Sequence, residues 1–242
     1  MKLLKDFSKN NLIGSELTEL GLKYKTDKAW HKKHTEIYSG IFDYFGVDKD
    51  SELNILEVGV AHGRSHLMWY DYFKNSNIIG IDIMRVDEYY MTDHPIYGSR
   101  LTPPDDKKWT LEYIKNILKK DDRLDLYHSC QTDKKVISQI IDKYEKFDII
   151  IDDASHISDN TRQTFNLLFP ALKSKGMYII EDLENFGSKI QSEVRADVVN
   201  WEKNKEFSYL KNYEEISDVR LIHSKDFVDV NEDFVLGVII KS

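Results

Sequence analysis

Short apolar, β-prone runs recur through the middle of the chain, at 53–58, 78–83, 124–127, 147–151 and 177–180. Helix-like segments at 65–73, 111–119, 134–144 and 159–168 separate them. This alternation leaves few folds open. Strands that are apolar throughout must be covered on both faces, and a helix in each crossover makes neighbouring strands parallel. The expected class is therefore α/β, a doubly wound and mostly parallel sheet. Runs at 219–222 and 234–240 read as two further strands near the carboxyl end.

With 242 residues, 41% of them apolar and 12% aromatic, the chain can build one full-sized core. No linker rich in Pro, Gly or Ser divides it and no repeat period shows. Residues 1–50 carry aromatic and apolar residues at helical spacing (Ile37, Phe42, Phe45) and are read as an N-terminal helical cap on a single domain spanning 51–242. The connection over 84–108 contains Tyr89, Tyr90, Tyr97, Arg100 and Pro103-Pro104. A loop beyond about 12–15 residues is commonly functional, so this insertion is read as a substrate-recognition lid or a contact in a homodimer.

Composition excludes several classes. Thirty-four basic against 42 acidic residues give a net charge of −8, which opposes bulk binding of nucleic acid. No apolar run approaches the roughly 20 residues of a membrane helix, so no membrane insertion is expected. The start, MKLLKDFSKNNL, places Lys and Asp where a signal peptide would be apolar. A cytoplasmic protein is expected. A lone cysteine, Cys130, excludes an internal disulfide and a multi-thiolate metal site.

The chemistry gathers at the ends of the apolar runs. The first is followed by Glu57-Val58-Gly59-Val60-Ala61-His62-Gly63-Arg64-Ser65, a strand, a glycine-bearing turn and a helix start. Gly59 and Gly63 would allow a sharp turn and close backbone approach to a ligand, and Ser65 would suit the helix N-cap. The turn lacks the middle glycine of a dinucleotide fingerprint, and Glu57 would repel a pyrophosphate. It would accept a cationic ligand instead. The second run ends in Asp82, a carboxylate able to hold both hydroxyls of a ribose. Glu57 and Asp82 together describe a pocket for an adenosine-like ligand without phosphates, and S-adenosylmethionine fits it. With these residues the chain resembles the class I S-adenosylmethionine-dependent methyltransferases. That resemblance implies a Rossmann-like sheet of about seven strands with the last antiparallel, and an adenine-bordering turn at Ser129-Cys130-Gln131-Thr132-Asp133. Gln131 and Asp133 match the pattern of those relatives. Thr132-Asp133 also reads as a helix cap.

The fourth run ends in Asp152-Asp153-Ala154-Ser155-His156 and the fifth in Glu181-Asp182. Neighbouring strands lie about 4.8 Å apart, so these acids would crowd together and demand a cation. Oxygen ligands in this number suit Mg²⁺, with Asp153, Glu181 and Asp182 as ligands. His156 would then act as the base that deprotonates an acceptor hydroxyl. The combination resembles the metal-dependent sugar O-methyltransferases of macrolide tailoring, as do Lys25-Thr26-Asp27-Lys28 and His34-Thr35-Glu36-Ile37-Tyr38 near the start. The resemblance implies a small sugar or nucleotide-sugar substrate, in natural-product or bacterial surface-polysaccharide synthesis, and a cap lying over the cleft. After Glu181-Asp182-Leu183 the chain continues Glu184-Asn185-Phe186-Gly187, unlike those relatives. Two other readings remain at this level: a metal-dependent tailoring enzyme like the cephalosporin hydroxylases, and a non-catalytic cofactor-binding partner.

Overall fold

The structure is a computed structural model that describes residues 6–8, 15–30, 32–61, 63–83, 120–183, 192–203, 209–229 and 233–242. The insertion over 84–108 and the helix expected over 111–119 lie outside the described residues, as do His62 and the stretch 184–191.

Three helices come first, α1 (Glu16–Tyr24), α2 (Asp27–Trp30) and α3 (His34–Phe45). The alternating part follows: β1 (Asn54–Val58), α4 (Arg64–Tyr72), β2 (Asn77–Asp82), β3 (Leu124–His128), α5 (Lys134–Tyr144), β4 (Phe147–Asp152), α6 (Ser158–Leu168) and β5 (Leu172–Ile180). Then come α7 (Ser192–Lys203), β6 (Ile216–His223) and β7 (Val235–Lys241). The seven strands form one sheet in the order β3-β2-β1-β4-β5-β7-β6. Pairings from β3 to β5 are parallel, and β7 runs antiparallel to both β5 and β6. The expected sheet is thus present, with its antiparallel strand inserted between β5 and β6.

Alternation along each strand builds two apolar layers. Ile55, Ile78, Ile149, Ile151, Met177 and Ile179 face one side, under Leu17 and Tyr24 of α1, Ile37, Ile41 and Phe42 of α3, and Leu67, Met68 and Trp69 of α4. Leu56, Val58, Ile79, Ile150, Tyr178 and Ile180 face the other, under Ile137 and Ile140 of α5, Phe165 of α6, and Val194 and Val198 of α7. The N-terminal helices are therefore one of the two layers as well as a cap. Their residues Leu17, Ile37, Tyr38 and Ile41 have no exposed surface.

Of the boundaries that differ from the sequence reading, two have a structural reason. β5 begins at Leu172, because Leu172 pairs with Phe147 before an irregularity in register; its exposed Lys-Ser-Lys segment hid that start. α4 begins at Arg64 with Gly63 as its N-cap, so Ser65 lies inside the helix and does not cap it.

Asp152 ends β4 within the second layer, where its carboxylate accepts a hydrogen bond from Tyr178 Oη at 3.1 Å. Burial pushes its carboxyl up to about 7, against the hydrogen bonds from Tyr178 and the Ala154 amide. An acid with a raised folded pKa holds its proton more tightly when folded. Its contribution is complete below about pH 4 and is lost as pH rises to about 7. Asp152→Asn should therefore flatten the pH dependence of unfolding, gaining on the order of 3 kcal/mol over wild type at pH 8 relative to pH 4. Chemical denaturation at the two pH values measures this, and an equal change at both would contradict it.

Candidate active site at the strand ends

The parallel strands set the site's spacing. Val58 pairs with Asp152, and Asp152 with Ile180. One residue further, the Asp153 amide donates to the Val58 carbonyl at 2.8 Å and the Glu181 amide to the Asp152 carbonyl at 3.0 Å. Gly59, Asp153 and Glu181 thus stand side by side at the carboxyl edge, where open α/β sheets bind ligands. Gly59 has φ +91°, and a Cβ there would lie 2.1 Å from the Asp153 carbonyl oxygen. Its glycine is required by the neighbouring strand end, not only by a ligand.

Glu181 has no exposed surface. Its Oε1 accepts from Lys28 Nζ at 2.7 Å and Tyr38 Oη at 2.7 Å, and its Oε2 lies 3.2 Å from His34 Nδ1. Burial opposes its charge, yet Lys28 and His34 hold its carboxyl well below the usual range. Lys28, itself buried, also donates to Asp153 Oδ2 at 2.5 Å. Burial opposes the ammonium too, but Asp153, Glu181 and Asp27 keep its pKa above the usual lysine range.

Asp153, His156 and Asp182 form a separate cluster, with one ligand atom from each within 4.8 Å of the others. His156 Nε2 lies 3.8 Å from Asp153 Oδ1 and 3.6 Å from Asp182 Oδ2. The opposite oxygens are held from the N-terminal side: Asp153 Oδ2 by Lys28, and Asp182 Oδ1 by Lys32 at 2.6 Å. Each carboxylate therefore gives one oxygen to a lysine and turns the other toward His156. His156 and Asp182 have φ of +54° and +58°, a backbone region that costs non-glycine residues about 1–3 kcal/mol and is common at functional sites.

This donor set fits a hard divalent cation. Asp27, Asp153, Glu181 and Asp182 are four carboxylates, and the ammonium groups among them are Lys28 and Lys32. Two negative charges are left over. Burial, then repulsion from Glu181, pushes the Asp153 carboxyl well up despite both lysines, the behaviour of a site short of positive charge. Asp153 and Asp182 would hold the ion, with His156 at its edge. Glu181, placed among the ligands by the sequence reading, instead spends both oxygens on Lys28, Tyr38 and His34. The reason is its exposure: the rung below the surface belongs to Glu181, and the exposed one to Asp182. Burial lowers the pKa of His156, against the pull of Asp182, so the imidazole is neutral at neutral pH.

The residues expected at the cofactor divide into two groups. Asp82 Oδ2 accepts from the amides of Val60 and Ala61, both at 2.8 Å, and so fixes the glycine turn. Gly63 has φ +75° and closes that turn. Both stand at the carboxyl edge of the sheet. Glu57 points elsewhere: it is fully buried against α4, accepting from Trp69 Nε1 at 3.2 Å and lying 3.1 Å from His66 Nδ1. Ile55 and Glu57 share a face by strand alternation, which explains this direction. Gln131 is buried too. Its Nε2 donates to Thr164 Oγ1 at 2.9 Å and its Oε1 accepts from the Ser155 amide at 3.0 Å, so it braces the Asp153–His156 loop against α6. Asp133 is the N-cap of α5, accepting from the Lys135 and Val136 amides. Ser65 is buried in the first turn of α4.

Sequence reasoning missed Lys28, Lys32, His34 and Tyr38 as parts of the site. The signal was present, since His34 and Tyr38 are four apart on one helix face and Lys28 lies in the Thr-Asp-Lys segment.

The seven-strand order and these strand-end carboxylates define a class I methyltransferase fold. No family model matches the chain. Its sequence is 27% identical over 174 residues to L-olivosyl-oleandolide 3-O-methyltransferase of Streptomyces antibioticus. It is 28% identical over 176 residues to demethylmacrocin O-methyltransferase of Streptomyces fradiae, and 28% over 179 to mycinamicin VI 2''-O-methyltransferase of Micromonospora griseorubida. Each match covers 69% of this chain and 36% of the relative, so the chain spans about a third of the length of the curated relatives it matches. Among solved structures, the MycE methyltransferase of mycinamycin biosynthesis, in complex with Mg and SAH, superposes over 94% of this chain and 55% of its own. Its TM-score is 0.62 at 22% identity, a likeness of fold.

Lys28→Met should leave Glu181 buried without its cation and cost about 3–5 kcal/mol of stability. Denaturant unfolding measures this; a loss under 1 kcal/mol would show that the ammonium does not anchor the site.

Proposed function

We propose that this chain is an S-adenosylmethionine-dependent, Mg²⁺-assisted O-methyltransferase acting on a sugar hydroxyl. The observation that carries the reading is the Asp153–His156–Asp182 cluster, at the same strand edge as the glycine turn that Asp82 fixes. The names of the relatives support the acceptor class, since they are O-methyltransferases of olivosyl and other macrolide substrates. The acceptor proposed here is a sugar on a natural product, a nucleotide or a bacterial surface polysaccharide. One histidine with two carboxylates differs from the two-histidine, one-carboxylate set of oxygenases, which favours methyl transfer over hydroxylation.

When bound, S-adenosylmethionine supplies the methyl group and Mg²⁺ acidifies and orients the acceptor hydroxyl. The chain's own residues do the rest. With both bound, His156 Nε2 would take the proton of the acceptor hydroxyl as its oxygen receives the methyl group. Asp153 Oδ1 and Asp182 Oδ2, which would hold the metal, lie 3.8 Å and 3.6 Å from that nitrogen, so metal and base would share one small volume. Asp82 and Gly63 shape the turn against which the nucleoside lies, and alignment for in-line displacement contributes much of the rate. Lys28 and Lys32 offset the repulsion among the carboxylates and hold one oxygen of each outer one.

His156→Ala should retain cofactor and metal binding but lower the methylation rate by about 10²–10⁴. In wild type the rate should fall on acidification through a pKa below the usual imidazole value of about 6.5, because burial favours the neutral ring. The alanine variant should lack that limb. Excess EDTA should abolish methyl transfer to candidate sugars, and Mg²⁺ should restore it. Mass spectrometry of the acceptor reads both; full activity in EDTA would overturn the metal's part in the mechanism.

A further inference from the structure

Lys28 and Lys32 each bridge two carboxylates. Lys28 Nζ lies 2.5 Å from Asp153 Oδ2 and 2.7 Å from Glu181 Oε1, and Lys32 Nζ lies 2.6 Å from Asp182 Oδ1 and 3.5 Å from Asp27 Oδ2. A cation shared between carboxylates is the arrangement of two-metal sites, whose ions stand about 3.5–4 Å apart. Here the shared cations belong to the chain. Their backbone is tied along its length: Arg64 Nη1 donates to the Lys25 carbonyl at 3.0 Å, the Ala29 amide to the Thr26 carbonyl at 3.1 Å and the Lys32 amide to the Asp27 carbonyl at 2.8 Å. The Lys28 side chain is 2% exposed and that of Lys32 10%. Both ammonium groups are therefore held between the acids and largely screened from water.

These contacts dictate which oxygens can meet a metal. Asp153 Oδ2 and Asp182 Oδ1 face lysines, whereas Asp153 Oδ1 and Asp182 Oδ2 face His156. Neither outer carboxylate can then chelate an ion through both oxygens, and an ion between Asp153 and Glu181 would have to stand where Lys28 Nζ is. Four carboxylates less two ammonium groups leave the charge that one divalent ion neutralises. We propose that Lys28 and Lys32 restrict this site to one divalent ion, held through a single oxygen of Asp153 and of Asp182, with Lys28 in the place of a second metal. This inference rests on the metal reading above. Single-oxygen ligation leaves most of the octahedral positions of Mg²⁺ to water and the acceptor, and the two lysine charges keep the ion exchangeable.

The test uses Mn²⁺ as a spectroscopic substitute for Mg²⁺, with calorimetry for affinity and electron paramagnetic resonance for the number and spacing of ions. Wild type should bind one ion per chain, magnetically isolated. Lys28→Met, prepared with Mn²⁺ present, should bind two coupled ions, the second between Asp153 and Glu181. Mn²⁺ should also raise its melting temperature more than that of wild type. Lys32→Met should bind one ion about 10- to 100-fold more tightly than wild type, because a nearby positive charge has gone. Lys32→Arg, which keeps the charge, should bind as wild type does. If Lys28→Met does not fold even with Mn²⁺, Lys32→Met decides: unchanged affinity overturns the inference. So does a folded Lys28→Met that binds one ion, or wild type that binds two. Wild type that binds none overturns the metal part of the function proposed above as well.

Discussion

Glu181 carries a negative charge at the end of β5 with no exposed surface, and the placement of the N-terminal helices follows from how that charge is satisfied. A carboxylate taken out of water costs several kcal/mol unless its partners are well placed. Lys28, Tyr38 and His34 provide them from α2 and α3, which draws those two elements over the carboxyl edge of the sheet. Once Lys28 is there, its ammonium also reaches Asp153, and Lys32 reaches Asp182. The orientation of the outer carboxylates toward His156 is thus a consequence of the inner one.

The scaffold around this charge is stiff. Gly59 packs against the Asp153 backbone with no room for a side chain, and Asp82 clamps the Val60 and Ala61 amides. Gln131 ties the Ser155 amide to α6 through Thr164. Only such a surround can hold His156 and Asp182 at positive φ, since each would relax if its neighbours allowed it. Catalytic groups on rigid strand ends with buried braces are the arrangement that alignment-dependent chemistry needs.

Much of this was legible in the residues. Apolar runs alternating with amphipathic segments place all five central strands, and the acids at the ends of β4 and β5 mark the reactive edge. Direction was harder to read than position. Glu57, Gln131 and Glu181 are polar residues next to the expected cleft, yet all three point into packed layers and serve as braces. A one-residue difference decides this: Glu181 is buried and Asp182, the next residue, faces the cluster with His156. Partners far along the chain fix these directions, and a strand's own pattern does not contain them. Asp133 was ambiguous between cofactor and cap, and its bonds to Lys135 and Val136 are those of a cap.

The bonds from Lys28 to Asp153 and Glu181 join residues 125 and 153 positions apart. During synthesis, α1 to α3 leave the ribosome long before β4 and β5 exist. Until residue 181 has emerged, Lys28 has no buried carboxylate to meet, and the apolar faces of α1 and α3 have no sheet to cover. These helices must wait as solvated, partly formed segments, exposed to chaperones and proteases. The native state then closes late, because contacts of such long sequence separation delay the ordering of the chain. The same carboxylate that organises the finished site therefore makes the beginning of the chain depend on its end.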